Sequence, residues 1–162
     1  MPAARILAVE DEAGVRRCHP VVAQLRPHIP TADELVERWQ RQRAEGYRMV
    51  ALEAETDEGG RIVAMAGYRV QENLVYGRFL YVDDLVTDAG TRGSGYGEQL
   101  MDHLKQQAQA LGCPRLVLDT ALSNALGQRF YFRNGLLTSS MRFSVAIPPV
   151  PVAPAASSAP AA

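Results

Sequence analysis

Cysteine is scarce in this chain of 162 residues, and the two that occur, Cys18 and Cys113, lie far apart. They form no Cys-x-x-Cys pair and match no Cys/His metal spacing, which argues against a disulfide framework and a zinc site and makes reduced thiols the default. Excess charge is missing as well. A formal net charge of −1 leaves no broad footprint for phosphate backbones, so nucleic acid is not an expected partner. No run approaches the roughly 18 apolar residues of a membrane span, and the opening MPAARILAVEDEAG holds no long apolar stretch. The expectation is a cytoplasmic protein with no membrane partner and no metal. What remains, 47% hydrophobic and 22% charged residues, is the profile of one domain with a full core.

The one abrupt change of composition comes at the end, where residues 147–162 read IPPVPVAPAASSAPAA. Proline cannot donate to a sheet, and alanine and serine offer little to bury, so this tail is expected to be extended or disordered. The folded domain then spans residues 5–146. Within it, RILAVE (5–10) reads as a strand, and Asp11 or Glu12 opens a helix towards Pro27 that Pro20 is placed to kink or split. Thr31-Ala32-Asp33-Glu34 has the spacing of a capping box for a helix to about Glu45. Leu35, Val36 and Trp39 share one face of it, while Arg38, Arg41 and Arg43 load the others, as a solvated face or an anion site.

Residues 47–55 and 61–71 are rich in β-formers and flank the turn-forming cluster Thr56-Asp57-Glu58-Gly59-Gly60, which predicts an antiparallel hairpin. RFLYVDDLVT (78–87) is a further strand in which two adjacent acids interrupt an apolar run. A helix over 95–111, a strand over 115–119, a helix over 124–134 ended by Gly135, and a last strand over 138–146 complete the order. An antiparallel meander followed by one strand-helix-strand crossover makes an α/β domain with a mixed sheet.

The segment from Asp84 to Met101 passes from a strand through glycines into a helix. Gly93, Gly95 and Gly97 let backbone amides approach a ligand without Cβ obstruction, at the positive end of a helix dipole, which favours an anion such as a pyrophosphate. Arg92, just before them, adds a planar cationic fork for phosphate oxygens. No Lys follows these glycines, so a P-loop is excluded. A dinucleotide or S-adenosylmethionine fold is a second reading, because Asp119 lies about twenty residues on, where a ribose-binding acid would sit. Against it, Glu98 holds the third glycine position, and too little foldable chain follows Asp119 to finish a doubly wound sheet.

Arg92-Gly93-Ser94-Gly95-Tyr96-Gly97 resembles the Arg/Gln-x-x-Gly-x-Gly/Ala signature of the GCN5-related N-acetyltransferases, in its place after the fourth strand. Downstream, Asn124, Ala125, Phe130-Tyr131 and Gly135 are similar to that family's Asn…Ala…Phe-Tyr…Gly segment. The block FYFRNGL with MRF looks like small-molecule members. Two departures stand out: Ala89 where the family often has Pro, and Gln128-Arg129 where related sequences often carry a His.

The resemblance implies a mixed, mostly antiparallel sheet flanked by helices, with two strands splayed to admit acetyl-coenzyme A. It implies acetyl transfer to a primary amine, with pyrophosphate on Arg92, Gly93, Ser94, Gly95, Tyr96 and Gly97 and the pantetheine arm along Leu85, Val86 and Thr87. An amide near Leu85 or Val86 would hold the thioester carbonyl. Asn124 would bond the pantetheine, and Tyr131 would protonate the departing thiolate. An alkylammonium has a pKa of about 10 and must lose a proton before it attacks. Asp83, Asp84 or a water is the candidate base, Asp83 being favoured by the resemblance. Adjacent strand residues point to opposite faces, so only one of the two faces the acceptor unless a bulge turns both. His28 falls where the acceptor wall is implied, while His19 and His103 read as surface or capping residues. A homodimer is common in the family. A coenzyme A sensor without turnover is the remaining alternative.

Overall fold

The computed structural model describes residues 4–56 and 59–150. In chain order these form β1 (Ala4–Val9), α1 (Glu12–Leu25), α2 (Ala32–Ala44), β2 (Arg48–Thr56), β3 (Gly59–Asn73), β4 (Gly77–Thr87), α3 (Tyr96–Ala110), β5 (Leu116–Leu118) and α4 (Ala125–Arg133). The strands lie side by side in the order in which they occur, as one five-stranded sheet. β1 to β4 form an antiparallel meander, and β5 joins β4 in parallel after the α3 crossover.

Alternation along β2 explains why the sheet is covered on both faces. Met49 and Ala51 face a core built with Val15, Cys18 and Val22 of α1 and Leu35, Val36 and Trp39 of α2. Val50, Leu52 and Ala54 face the opposite core, filled by Leu100 and Leu104 of α3. Helix starts follow capping chemistry. The Asp11 carboxylate accepts the Gly14 N–H at 2.8 Å, and the Thr31 hydroxyl accepts the Glu34 N–H at 3.2 Å. The capping box is not reciprocal, because Arg38 takes the Glu34 carboxylate at 2.6 Å. Pro20 neither splits nor ends α1. It stands exposed, so the defect it introduces meets water rather than core.

Two sequence expectations need comment. The strand expected over 138–146 does not form: Thr138–Val150 is exposed and has no regular secondary structure. The sequence there alternates as a strand should, but Leu137–Val150 makes no backbone hydrogen bond with any other described residue. The hairpin turn at residues 57 and 58 and the tail beyond 150 lie outside the described residues.

Candidate active site

β4 changes character halfway along. Leu80, Tyr81 and Val82 pair with Leu116, Val117 and Leu118 of β5 on one side and with β3 on the other. From Asp84 to Thr87 the strand keeps its β3 partner but has no β5 partner among the described residues. The result is a gap bounded by one strand edge, as the splayed pair implied by the family resemblance would have. Alternation tells which amides line it. Leu80 donates to the Arg115 carbonyl at 2.9 Å on the β5 side, while Asp88 donates to the Val63 carbonyl at 2.8 Å on the β3 side. Counting back from Asp88, Val86 faces β3, and the backbone groups of Leu85 and Thr87 face the gap.

That count works only because the register slips once. Gly67 pairs with Asp84 and Tyr68 with Val82, so Asp83 is an extra residue, a β-bulge. Both acids consequently line one cavity of about 310 Å³, together with Arg26, His28, Tyr81 and Arg142. Their surroundings differ. Asp84 accepts from Arg26 Nε at 2.9 Å and from the Tyr47 phenol at 2.8 Å, which occupies both of its oxygens. Tyr47 reaches it by lying across Gly67, where a Cβ would stand 1.8 Å from the phenolic oxygen. Burial and the neighbouring Asp84 charge hold the Tyr47 phenol protonated, well above its usual range. Asp83 accepts from Arg69 Nε at 3.0 Å through one oxygen, and its other oxygen has no partner among the described residues. Desolvation raises its pKa, against the pull of Arg69.

The glycine turn is held from α1, a contact the sequence did not reveal. Gln24 donates to the Asp88 carboxylate at 2.8 Å and accepts the Ala89 N–H at 2.8 Å. The chain then turns through Gly93 at φ +84° and Gly95 at φ +80°, a conformation that side chains with a Cβ rarely adopt. Gly95 occupies the N-cap position of α3 without any side chain to cap it. The first intrahelical bond recorded there is from Gln99 to the Gly95 carbonyl, so the amides of Tyr96, Gly97 and Glu98 are turned outwards. Arg92 stands exposed beside them.

α4 closes the gap from the α3 side. A Cβ on Gly97 would come within 3.3 Å of both the Phe130 ring and Thr87 Oγ1, which locates α4 against the base of the gap. Tyr131 packs edge-on to Phe130 with ring centroids 5.5 Å apart. Burial raises its pKa, so the phenol keeps its proton at neutral pH. Asn124 caps α4 by accepting the Gly127 N–H at 3.0 Å and donates to Thr120 Oγ1 at 2.9 Å. Those contacts fix the helix that carries Tyr131.

Other sequence candidates are structural. His19 bonds the Ile29 carbonyl at 3.1 Å, and burial lowers the pKa of His103 on α3. Asp119 is held by Tyr81 and by Arg142 at 2.6 Å, in a meander that is not a doubly wound sheet. Among the described residues no three His, Cys, Asp or Glu side chains are grouped to hold a metal. Neither is any helix among them long and apolar enough to cross a membrane. Gln24, Arg26, Tyr47, Arg69, Tyr81 and Arg142 are site residues that sequence reasoning missed. All but Tyr81, which shares β4 with the two acids, come from distant parts of the chain, and none carries a local motif.

Comparison with known proteins fits this geometry. A glucosamine 6-phosphate N-acetyltransferase of rice (Oryza sativa subsp. japonica) is 31% identical over 99 residues, covering 59% of this chain and 60% of the rice protein. An acetyltransferase of Trypanosoma brucei superposes with a TM-score of 0.73 at 20% identity, covering 90% of this chain and 100% of the other. An aminoglycoside N-acetyltransferase in complex with CoA gives a TM-score of 0.77 at 15% identity, covering 91% and 96%. Residues 15–136, which contain the bulged strand, the uncapped glycine turn and α4, match the acetyltransferase (GNAT) family, and the chain belongs to it.

Proposed function

We propose that this N-acetyltransferase binds acetyl-coenzyme A along the open half of β4 and transfers its acetyl group to the primary amine of a small molecule in the Asp83/Asp84 cavity. The observation that carries the reading is the half-open strand running straight into an uncapped helix start. Arg92 and the outward amides of Tyr96, Gly97 and Glu98 suit the pyrophosphate, by charge and by donor number. The edge of Leu85 and Thr87 offers the backbone donors and acceptors that an amide-containing pantetheine arm needs. Bound there, the thioester supplies an activated acetyl group.

The chain's own groups then divide the proton work. The Leu85 N–H faces the gap and stabilises negative charge developing on the carbonyl oxygen. Asp83, with one oxygen unengaged and a raised affinity for protons, accepts a proton from the ammonium, directly or through water. Asp84 is the positioning acid, tied to Arg26 and Tyr47. Tyr131 donates the phenolic proton to the leaving thiolate, the two groups being of comparable basicity. The two unpaired, buried thiols, with Cys18 pushed up to about 12 by burial, suit a reducing cytoplasm.

The test is thiol release from acetyl-coenzyme A across a panel of acceptors, starting with glucosamine 6-phosphate and extending to other small amines and to peptide N-termini. Release with a small amine is the expected outcome. Coenzyme A binding without release on any acceptor would replace the enzyme by a sensor, and release only with peptides would move the acceptor to protein.

A further inference from the structure

We propose that the acceptor carries an oxyanion, a carboxylate or a phosphate, as well as its amine, and that Arg38 and Arg142 hold that oxyanion in the Asp83/Asp84 cavity. The inference rests on the transferase reading and narrows its acceptor. At about 310 Å³ the cavity suits one small molecule. Its most buried lining is apolar, of Trp39, Met49 and Met65, so the orientation of an acceptor falls to the polar groups around them.

Those groups differ in what they have left to give. Asp83 keeps one oxygen without a partner among the described residues, which suits an ammonium. Arg26 is taken up, its Nε and Nη2 by the Asp84 carboxylate and its Nη2 also by the Asp83 carbonyl. Arg38 spends Nε and Nη2 on a single oxygen of Glu34, at 3.1 and 2.6 Å, and its Nη1 has no partner among the described residues. Arg142 spends Nη2 alone, on the Tyr81 phenol at 2.7 Å and on Asp119 at 2.6 Å, which leaves Nε and Nη1 without a partner among the described residues. Guanidinium donors left unspent beside a cavity match the oxygens of a carboxylate or phosphate.

Charge balance points the same way. Before an acceptor enters, Asp83 is matched by Arg69, Asp84 by Arg26, Arg38 by Glu34 and Arg142 by Asp119. An ammonium arriving alone adds an unmatched charge to a partly enclosed site, at a desolvation cost. An acceptor that brings its own oxyanion leaves the balance intact. α2 supplies a ruler for it. Gln42 accepts from Arg69, the partner of Asp83, at 3.1 Å, and Arg38 stands one turn before Gln42 on the same face. That places the oxyanion about 6 Å along the helix from the amine.

The experiment measures kcat/KM by thiol release from acetyl-coenzyme A, with probes that differ in the anion and keep the amine. It sets 5-aminopentanoate against 5-aminopentanamide, and glucosamine 6-phosphate against glucosamine. The anionic member of at least one pair should be favoured about 10-fold or more, the range of a charge-assisted hydrogen bond. The pair that shows it tells carboxylate from phosphate. Arg38→Gln with Arg142→Gln should bring the ratio close to one, chiefly through KM. The two side chains are 38% and 64% exposed, so the variant still folds. Neutral probes used as well as anionic ones overturn the proposal and leave the transferase reading in place. So does an anion preference that survives the double substitution. Release with none of the four probes overturns it too, and the wider panel of amines and peptides then decides the transferase reading separately.

Discussion

The two halves of β4 have the same backbone and different fates. Leu80 to Val82 is paired on both sides, and two of its three side chains are buried. Asp84 to Thr87 is paired with β3 alone and is mostly half-buried. One inserted residue, Asp83, marks the boundary. It turns two consecutive acids into one cavity and sets the amides of Leu85 and Thr87 towards open space. A fully paired strand satisfies its own hydrogen bonds and has nothing to offer a ligand, whereas a strand paired on one side has donors ready and a rigid partner to hold them.

The sharpest way to break the comparison is to fill the turn into which the open half runs. Gly95→Val forces a β-branched residue to a φ of +80°, and Gly97→Val drives side-chain atoms into Phe130 and Thr87. Each should abolish acetyl-coenzyme A binding by calorimetry while far-ultraviolet circular dichroism still reports a folded domain. Unchanged affinity in a folded variant would remove the cofactor from this turn. Next in size, Tyr131→Phe keeps the ring and loses the proton. Turnover should fall by about 10²-fold or more, typical of a general acid, with cofactor affinity nearly constant. Full turnover under conditions where chemistry limits the rate would leave the phenol a packing role.

A smaller effect tests the bulge itself. Gly67→Ala puts a methyl group where the Tyr47 phenol lies, so Tyr47 must move off Asp84. A loss of about 1 to 3 kcal/mol in stability, the usual range for overpacking, should come with weaker acceptor binding. An alanine variant as stable as the wild type would show that the phenol is not wedged there.

The subtlest prediction contrasts two carboxylates. Glu53 on β2 is buried and held by Arg17 and Arg5, which lower its pKa from the usual 4.5, whereas Asp83 is raised by desolvation. A lowered folded pKa means stability that is present above the unfolded value and lost as pH falls through the folded one. Glu53→Gln should therefore melt lower than wild type near pH 7, with the difference shrinking below about pH 4. A gap independent of pH would deny the carboxylate's charge any part. For Asp83 the stability sign is opposite, its raised pKa favouring the fold at low pH and opposing it as pH rises. Its base function is lost when the carboxyl protonates, so Asp83→Asn should erase the acidic limb of the activity profile.

Much of this was legible in the chain. Hydrophobic period and turn chemistry located all the elements from β1 to α4, because each carries its own local signal: Thr31 and Asp11 as caps, Leu35, Val36 and Trp39 as a face. The glycine turn was legible because positive φ values demand glycine. The bulge was foreseen only as a possibility, since register depends on the partner strand and not on β4. The ties from Gln24, Arg26 and Tyr47 to the acids and the turn were invisible, for they join residues 37 to 65 positions apart. The strand expected over 138–146 does not form, because local sequence can signal β-structure without supplying a neighbouring strand, and Leu137–Val150 makes no backbone hydrogen bond with any other described residue.

The account stands or falls on the open edge, and amide hydrogen exchange followed by nuclear magnetic resonance reads it residue by residue. In the free protein the Leu85 and Thr87 amides should exchange quickly and Val86, bonded to β3, slowly. Saturating acetyl-coenzyme A should slow Leu85 and Thr87 and leave Val86 as it was. If Leu85 and Thr87 exchange at the same rate with and without bound acetyl-coenzyme A, the thioester arm does not lie on this strand.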